Sequence, residues 1–169
     1  MPIKQHKPTT AARRNSSVQD FSDITTIKPE KRLTIIRKQR AGRSNGKIAV
    51  RHKGGGAKRF LRNVDFLCDK FDIPARIASI EYDPARGARI SLLHYQDGEK
   101  RYMLAADGLV VGDVVVSSKQ SADIKHGNRL PLGKIPEGLL VYNVELHPGK
   151  GAQLGRGAGV RVQLMAIEG

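Results

Sequence analysis

Residues 88–104 read ARISLLHYQDGEKRYML, and this stretch decides the fold. Ala88–Tyr95 sets Ile90 and Leu92 in alternation with Arg89, Ser91 and Leu93, the period-two pattern of a strand. Gln96-Asp97-Gly98-Glu99 then carries an Asp-Gly pair, which predicts a two-residue hairpin turn. Lys100–Leu104 returns as the partner strand. Upstream, Ala75–Tyr82 is a further strand, with Pro74 marking its start or an edge, where a missing N–H is tolerated. Downstream, Gly112-Asp113 turns into Val114–Ser117. No segment sustains a 3.6-residue apolar period, so the reading from about residue 60 is a small antiparallel barrel.

A second all-β segment begins near His126-Gly127-Asn128. Leu139–Leu146 is apolar and β-branched enough for a strand, and Val160–Ile167 puts Val160, Val162, Leu164 and Ala166 on one face. Between them lie two glycine-basic loops, Pro148-Gly149-Lys150-Gly151 and Gly155-Arg156-Gly157-Ala158-Gly159.

The other side of the barrel is different in kind. Arg37–Arg62 holds ten Lys or Arg residues (Arg37, Lys38, Arg40, Arg43, Lys47, Arg51, Lys53, Lys58, Arg59 and Arg62) and no carboxylate. Glycines 42, 46, 54, 55 and 56 deny it a regular helix, and only Ile48, Ala49 and Val50 suggest a short strand. Residues 1–62 carry 17 basic and 3 acidic groups, whereas residues 63–169 carry 13 of each. The whole net charge of +14 therefore sits in an arm that cannot bury enough apolar surface to offset its ordering entropy and self-repulsion. Such a segment needs a partner with dense negative charge, and nucleic acid fits best. Ahead of it, Phe21, Ile24, Ile27, Leu33, Ile35 and Ile36 are sparse anchors for an extended chain docking on the body or a partner; a disordered tail is the plainer alternative.

Several function classes are excluded. Cys68 is the only cysteine, so there is no internal disulfide and a reducing compartment is expected. The basic N-terminus lacks the apolar core of a secretory signal, and no apolar run approaches the ~20 residues of a membrane helix. The expectation is a soluble, intracellular protein. Gly42-Arg-Ser-Asn-Gly46-Lys47 is one residue short of a phosphate-binding P-loop and has Ile48 where Ser or Thr should hold magnesium. The five histidines and Cys68 lack zinc spacing, Gly155–Gly159 lacks dinucleotide spacing, and no nucleophile elbow presents a serine. No enzyme, cofactor or metal is expected.

Phosphate recognition by basic glycine loops has better support, because glycine lets backbone N–H groups approach an anion closely. His52-Lys53-Gly54-Gly55-Gly56-Ala57-Lys58-Arg59, Arg86-Gly87-Ala88-Arg89 and Gly155-Arg156-Gly157 all qualify, with Lys150 beside the last. Tyr82, Tyr95 and Tyr102 are either base-stacking platforms or core residues.

The chain also resembles a known family, the bacterial-type large-subunit ribosomal protein L two. The resemblance runs through Lys7-Pro8-Thr9-Thr10, Asp20-Phe21-Ser22, Gly42-Arg43, Gly46-Lys47-Ile48, Arg51-His52 and Gly54-Gly55-Gly56. It continues with Ile80-Glu81-Tyr82-Asp83-Pro84 and Arg86, Asp97-Gly98-Glu99-Lys100-Arg101-Tyr102, Leu130-Pro131-Leu132, Asn143-Val144-Glu145-Leu146 and Pro148-Gly149-Lys150-Gly151. It implies an all-β fold: an extended basic arm over 1–59, an oligonucleotide-binding (OB) barrel over 60–125, and a Src-homology-3-like barrel from 126 to 169. Members usually continue well past the position of Gly169, so the second barrel is expected to be incomplete, with its edge covered by the first barrel, by rRNA or by a second polypeptide. The implied function is structural: binding large-subunit rRNA beside neighbouring ribosomal proteins, supporting subunit association and the peptidyl-transferase region. The implied location is the cytoplasmic or an organellar ribosome. Arg86 and Arg156 correspond to the family's RNA-contacting arginines, and the basic arm to the part threaded between rRNA helices. Tyr142, Leu139 and Gly157 depart from the usual His, Thr and Ser. The competing reading is a free-standing OB-fold single-strand binder or translational regulator, against which the long apolar-poor arm speaks as a protease liability.

Overall fold

The computed structural model describes residues 3–36, 42–54 and 59–167. Arg37, Lys38, Arg40, Gly55, Gly56 and Lys58 lie outside the described residues. The arm opens as a hairpin: β1 (Ile3–Gln5) pairs antiparallel with β2 (Ser17–Gln19), and α1 (Ala11–Arg14) lies between them. That helix has four residues and buries none of them, so it leaves no periodic trace in the sequence.

From residue 20 the arm docks on the body. The Thr25 N–H donates to the Ile80 carbonyl at 3.0 Å, and the Ile80 N–H donates to Thr25 Oγ1 at 2.9 Å. The Glu30 N–H donates to the Tyr102 hydroxyl at 2.8 Å. Phe21 meets Tyr82 edge-on, ring centroids 5.2 Å apart, and Leu33 packs on the core. Ile27, Ile35 and Ile36 are exposed, so only part of the anchor set engages the body. β3 (Thr34–Ile36) pairs with β6 (Phe60–Arg62), so the start of the body reaches back into the arm. β4 (Arg43–Ser44) and β5 (Lys47–Ile48) form a hairpin between these two strands in sequence.

The main sheet is a curled, antiparallel half-barrel of the OB-like kind. β7 (Ala75–Asp83), β8 (Ala88–Tyr95), β9 (Lys100–Leu104) and β10 (Val114–Val115) are ordered β10-β7-β8-β9. The alternation along β8 sorts its side chains onto two faces. Leu93 and Tyr95 join Ala75, Ile77, Ile80, Met103, Leu109 and Val115 on one side, while Ile90 and Leu92 join Val64, Tyr102 and Leu104 on the other. A register shift between Ile77 and Ser79 inserts Ala78 as a bulge. It lets Ile77 and Ile80, an odd spacing, face the same cluster.

The hairpin at Asp97-Gly98 differs from the expected two-residue turn. The Tyr95 N–H donates to the Glu99 carbonyl and the Gly98 N–H to the Tyr95 carbonyl, leaving Gln96-Asp97-Gly98 as a three-residue loop. A two-residue type I′ turn needs positive φ at both central positions, and here Gly98 (φ 87°) adopts it while Asp97 does not. The Asp97 carboxylate instead accepts the Glu99 N–H at 3.1 Å.

Beyond the sheet, β11 (Leu140–Val141) and β12 (Val162–Gln163) are far shorter than Leu139–Leu146 and Val160–Ile167. Asn143 stands at φ 57°, which ends extended backbone after β11. Arg129 ties this segment to the sheet: it donates to the Cys68 carbonyl (3.2 Å) and to Glu145 Oε1 (2.7 Å), with its guanidinium over Phe71. The other oxygen of Glu145 accepts the Gly149 N–H at 2.9 Å and so shapes the loop carrying Lys150. The hydroxyl of Tyr142 donates to the Leu104 carbonyl at 3.3 Å. Among the described residues no helix is long and apolar enough to cross a membrane.

Candidate nucleic-acid interface

The loop over residues 42–54 is built by its glycines. Asn45 (φ 50°) and Gly46 (φ 73°) form the two-residue turn between β4 and β5, both in the left-handed region a type I′ hairpin requires. Gly42 (φ 61°) closes the base: its carbonyl accepts the Ala49 and Val50 N–H groups, and a Cβ there would lie 2.5 Å from the Val50 carbonyl oxygen. Arg43, Lys47, Arg51, His52, Lys53 and Gly54 are all exposed on this frame, as is Arg59 beyond it. Among the described residues none of these cations enters an ion pair. The two-residue turn expected at Asp97-Gly98 is found instead at Asn45-Gly46.

A second group assembles around Phe66. The Arg86 guanidinium lies 5.5 Å from the ring centroid and the Arg156 guanidinium 4.8 Å from it, bringing together side chains 70 positions apart. Arg86 also pairs with Asp83 at 2.6 Å, and the Asp83 side chain is fully buried. Phe66 is tied to the second segment by the Ala152 N–H, which donates to its carbonyl at 2.9 Å. Beside it opens a cleft of about 790 Å³ whose walls include Val64, Phe66, Arg101, Lys150, Ala152 and Arg156. Lys150 is exposed at the rim.

Two of the expected contacts face the protein instead. Arg89 is 8% exposed; it grips both Asp23 oxygens (2.8 and 2.9 Å) and the Asp20 carbonyl (2.7 Å), with its guanidinium over Phe21 and Tyr82. This hydrogen bond holds the Asp23 carboxyl below its ordinary pKa. Arg89 thus clamps the arm, the sheet's alternation turning it towards Asp23. The Arg62 side chain, also 8% exposed, lies 4.0 Å from Asp83 and donates to the Phe60 carbonyl.

Tyr95 and Tyr102 are buried, and burial pushes the Tyr95 phenol up to about 12. Tyr102 bridges Glu81, whose own pKa burial raises, and the Glu30 N–H. Tyr82 is half-buried under Phe21. The tyrosines therefore serve the core. Burial likewise lifts the Cys68 thiol to about 11, leaving it a poor nucleophile. Among the described residues no group of three or more His, Cys, Asp or Glu is placed to hold a metal.

Phe66, Asp83 and Arg129 escaped the reading of the sequence, since each acts through partners distant in the chain. The only local trace was Asp83 opening the Asp-Pro-x-Arg turn. Two family models match this chain. One, described as Ribosomal Proteins L2, RNA binding N-terminal domain, covers residues 30–117; the other, Ribosomal Proteins L2, C-terminal domain, covers residues 125–169.

Proposed function

The chain belongs to the ribosomal L2 family and is a structural, RNA-binding protein of the large ribosomal subunit, and from that premise we propose how it binds. Its RNA is large-subunit rRNA, and two surfaces meet it. The loop bearing Arg43, Lys47, Arg51, His52, Lys53 and Gly54 enters between rRNA helices, continued by Arg59 and by Arg37, Lys38, Arg40, Gly55, Gly56 and Lys58. Lys150 and Arg156, which line the cleft, and Arg86, over the Phe66 ring, hold the backbone. Arg62 and Arg89 act behind this surface, fixing the arm. The observation that carries the reading is the set of exposed cations, none of them ion-paired among the described residues, on a frame closed at Gly42. Cations without internal partners are free to displace the counterions condensed on RNA.

The finer assignments belong to the same proposal: a role in subunit association and at the peptidyl-transferase region, neighbouring ribosomal proteins, and a second polypeptide pairing with the β11–β12 segment. So does a division at about residue 125, supported by the start of the second family match. The family is structural, so no catalytic step is assigned.

Co-sedimentation tests the reading. The protein should migrate with the large subunit through a moderate salt wash, and its rRNA affinity should fall against salt with a log–log slope of roughly −5 to −9, for six to ten neutralised phosphates. A slope near zero would show that these cations do not meet phosphate.

A further inference from the structure

We propose that Phe66 is a positioning residue of the RNA interface: its ring holds the Arg86 and Arg156 guanidiniums as one unit, so that loops from the two halves of the chain grip the RNA backbone together. The proposal rests on the reading that both arginines touch RNA. Their guanidiniums lie 5.5 and 4.8 Å from the same ring centroid. A guanidinium held over a ring can still donate N–H groups from its edge to a phosphate, which a lysine ammonium on its flexible stem does not reproduce; on Arg86 one of these donors, Nη1, is already given to Asp83. Both arginines remain partly open to solvent, with the Arg86 side chain 30% exposed.

The ring is itself fixed from both sides. Phe66 packs against the cluster of Val64, Ile90, Leu92, Tyr102 and Leu104. Its carbonyl accepts the Ala152 N–H, and a Cβ on Gly151 would sit 3.4 Å from that carbonyl oxygen, so the second segment lies hard against it. On the Arg86 side, Asp83 completes the mount. Its carboxylate takes Arg86 at 2.6 Å and the Ala85 N–H at 2.9 Å, and its carbonyl takes the Arg86 and Gly87 N–H groups. An exposed arginine normally loses rotamer freedom when it binds; one already stacked has lost part of it beforehand, which raises affinity.

The test is a variant set in the full chain, binding large-subunit rRNA. Phe66→Leu should weaken binding about three- to tenfold, the scale of a guanidinium–ring contact at a part-exposed site, while Phe66→Tyr should bind like wild type. Arg86→Lys and Arg156→Lys should each cost about tenfold in wild type and less than about twofold once Phe66 is Leu. If Phe66→Leu is silent, or costs as much in the double Lys variant as in wild type, the ring does not act through the arginines and the proposal is overturned. If instead both Lys variants bind as tightly as wild type, the RNA-contact reading fails, and this proposal with it. NMR of the RNA-free wild-type chain gives a readout that needs no variant to fold. The Arg86 and Arg156 Nε–H signals should be shifted upfield by the ring, and unshifted signals would overturn the stacking.

Discussion

The loop over residues 42–54 and the sheet over residues 75–104 use the same cations to opposite ends. In the sheet, Arg101 is surrounded by Asp65, Asp69 and Glu99, which raise its pKa further, and Lys70 by Asp97 and Glu99. Both also lie over the Tyr95 ring. Their charge is consumed in holding the barrel's rim. In the loop, Arg43, Lys47, Arg51 and Lys53 have no such neighbours among the described residues, and no carboxylate occurs between Glu30 and Asp65. An acid-free run of 34 positions does not by itself leave every cation unpaired, since Arg62 within it reaches Asp83.

The strongest way to break this contrast is to neutralise the loop. Changing Arg43, Lys47, Arg51 and Lys53 together to Gln should flatten the salt slope of rRNA binding by roughly three to four units, at about 0.7–0.9 per phosphate. Urea unfolding of the body should be unaltered. An unchanged slope would move the electrostatics to the body. The converse substitution, Arg89→Ala, should leave the slope intact while lowering stability by about 2 kcal/mol in chemical denaturation. That is less than a fully buried pair would lose, since the Asp23 side chain is 35% exposed.

Gly42→Ala separates shape from charge. The added Cβ collides with the Val50 carbonyl and meets a positive φ, so the loop must open with its cations unchanged. Affinity should fall by about 1–2 kcal/mol with the salt slope kept; equal affinity would show that only the charge matters. The smallest effect is on pH. Arg89 holds the Asp23 pKa below its ordinary 3.8, so the clamp's stability is fully present above that value and is lost as pH falls through the lower native one. Glu81 runs the other way: burial raises its pKa above 4.5, so its contribution declines as pH rises from there and levels off above the native value. The protection factor of the Thr25 amide, its exchange rate relative to the free chain at the same pH, should therefore fall as acid protonates Asp23.

What the sequence disclosed followed from how local each signal was. Ala88–Tyr95 and Lys100–Leu104 came out with the expected bounds, because their alternation is complete within eight and five residues. The Asp97-Gly98 turn was located but mistyped, since Asp-Gly serves two- and three-residue loops alike. Asn45-Gly46 was hidden by the charge around it. Arg89 read as a loop cation beside Gly87, and nothing local could reveal that Asp23, 66 positions away, would face it. The pairing of Arg86 and Arg156 through Phe66 is equally invisible in the sequence, although both arginines stand out in it.

The docking of the arm has a consequence for the order of synthesis. Thr25 is held by Ile80, 55 residues later, and Glu30 by Tyr102, 72 residues later. The arm leaves the ribosome first and, its own short hairpins aside, has no body to dock on until those strands exist. At about 5–20 residues per second, the wait between Glu30 and Tyr102 lasts roughly 4–14 s. During that interval the twelve basic residues from Lys31 to Arg62 join a chain whose docking strands are not yet made.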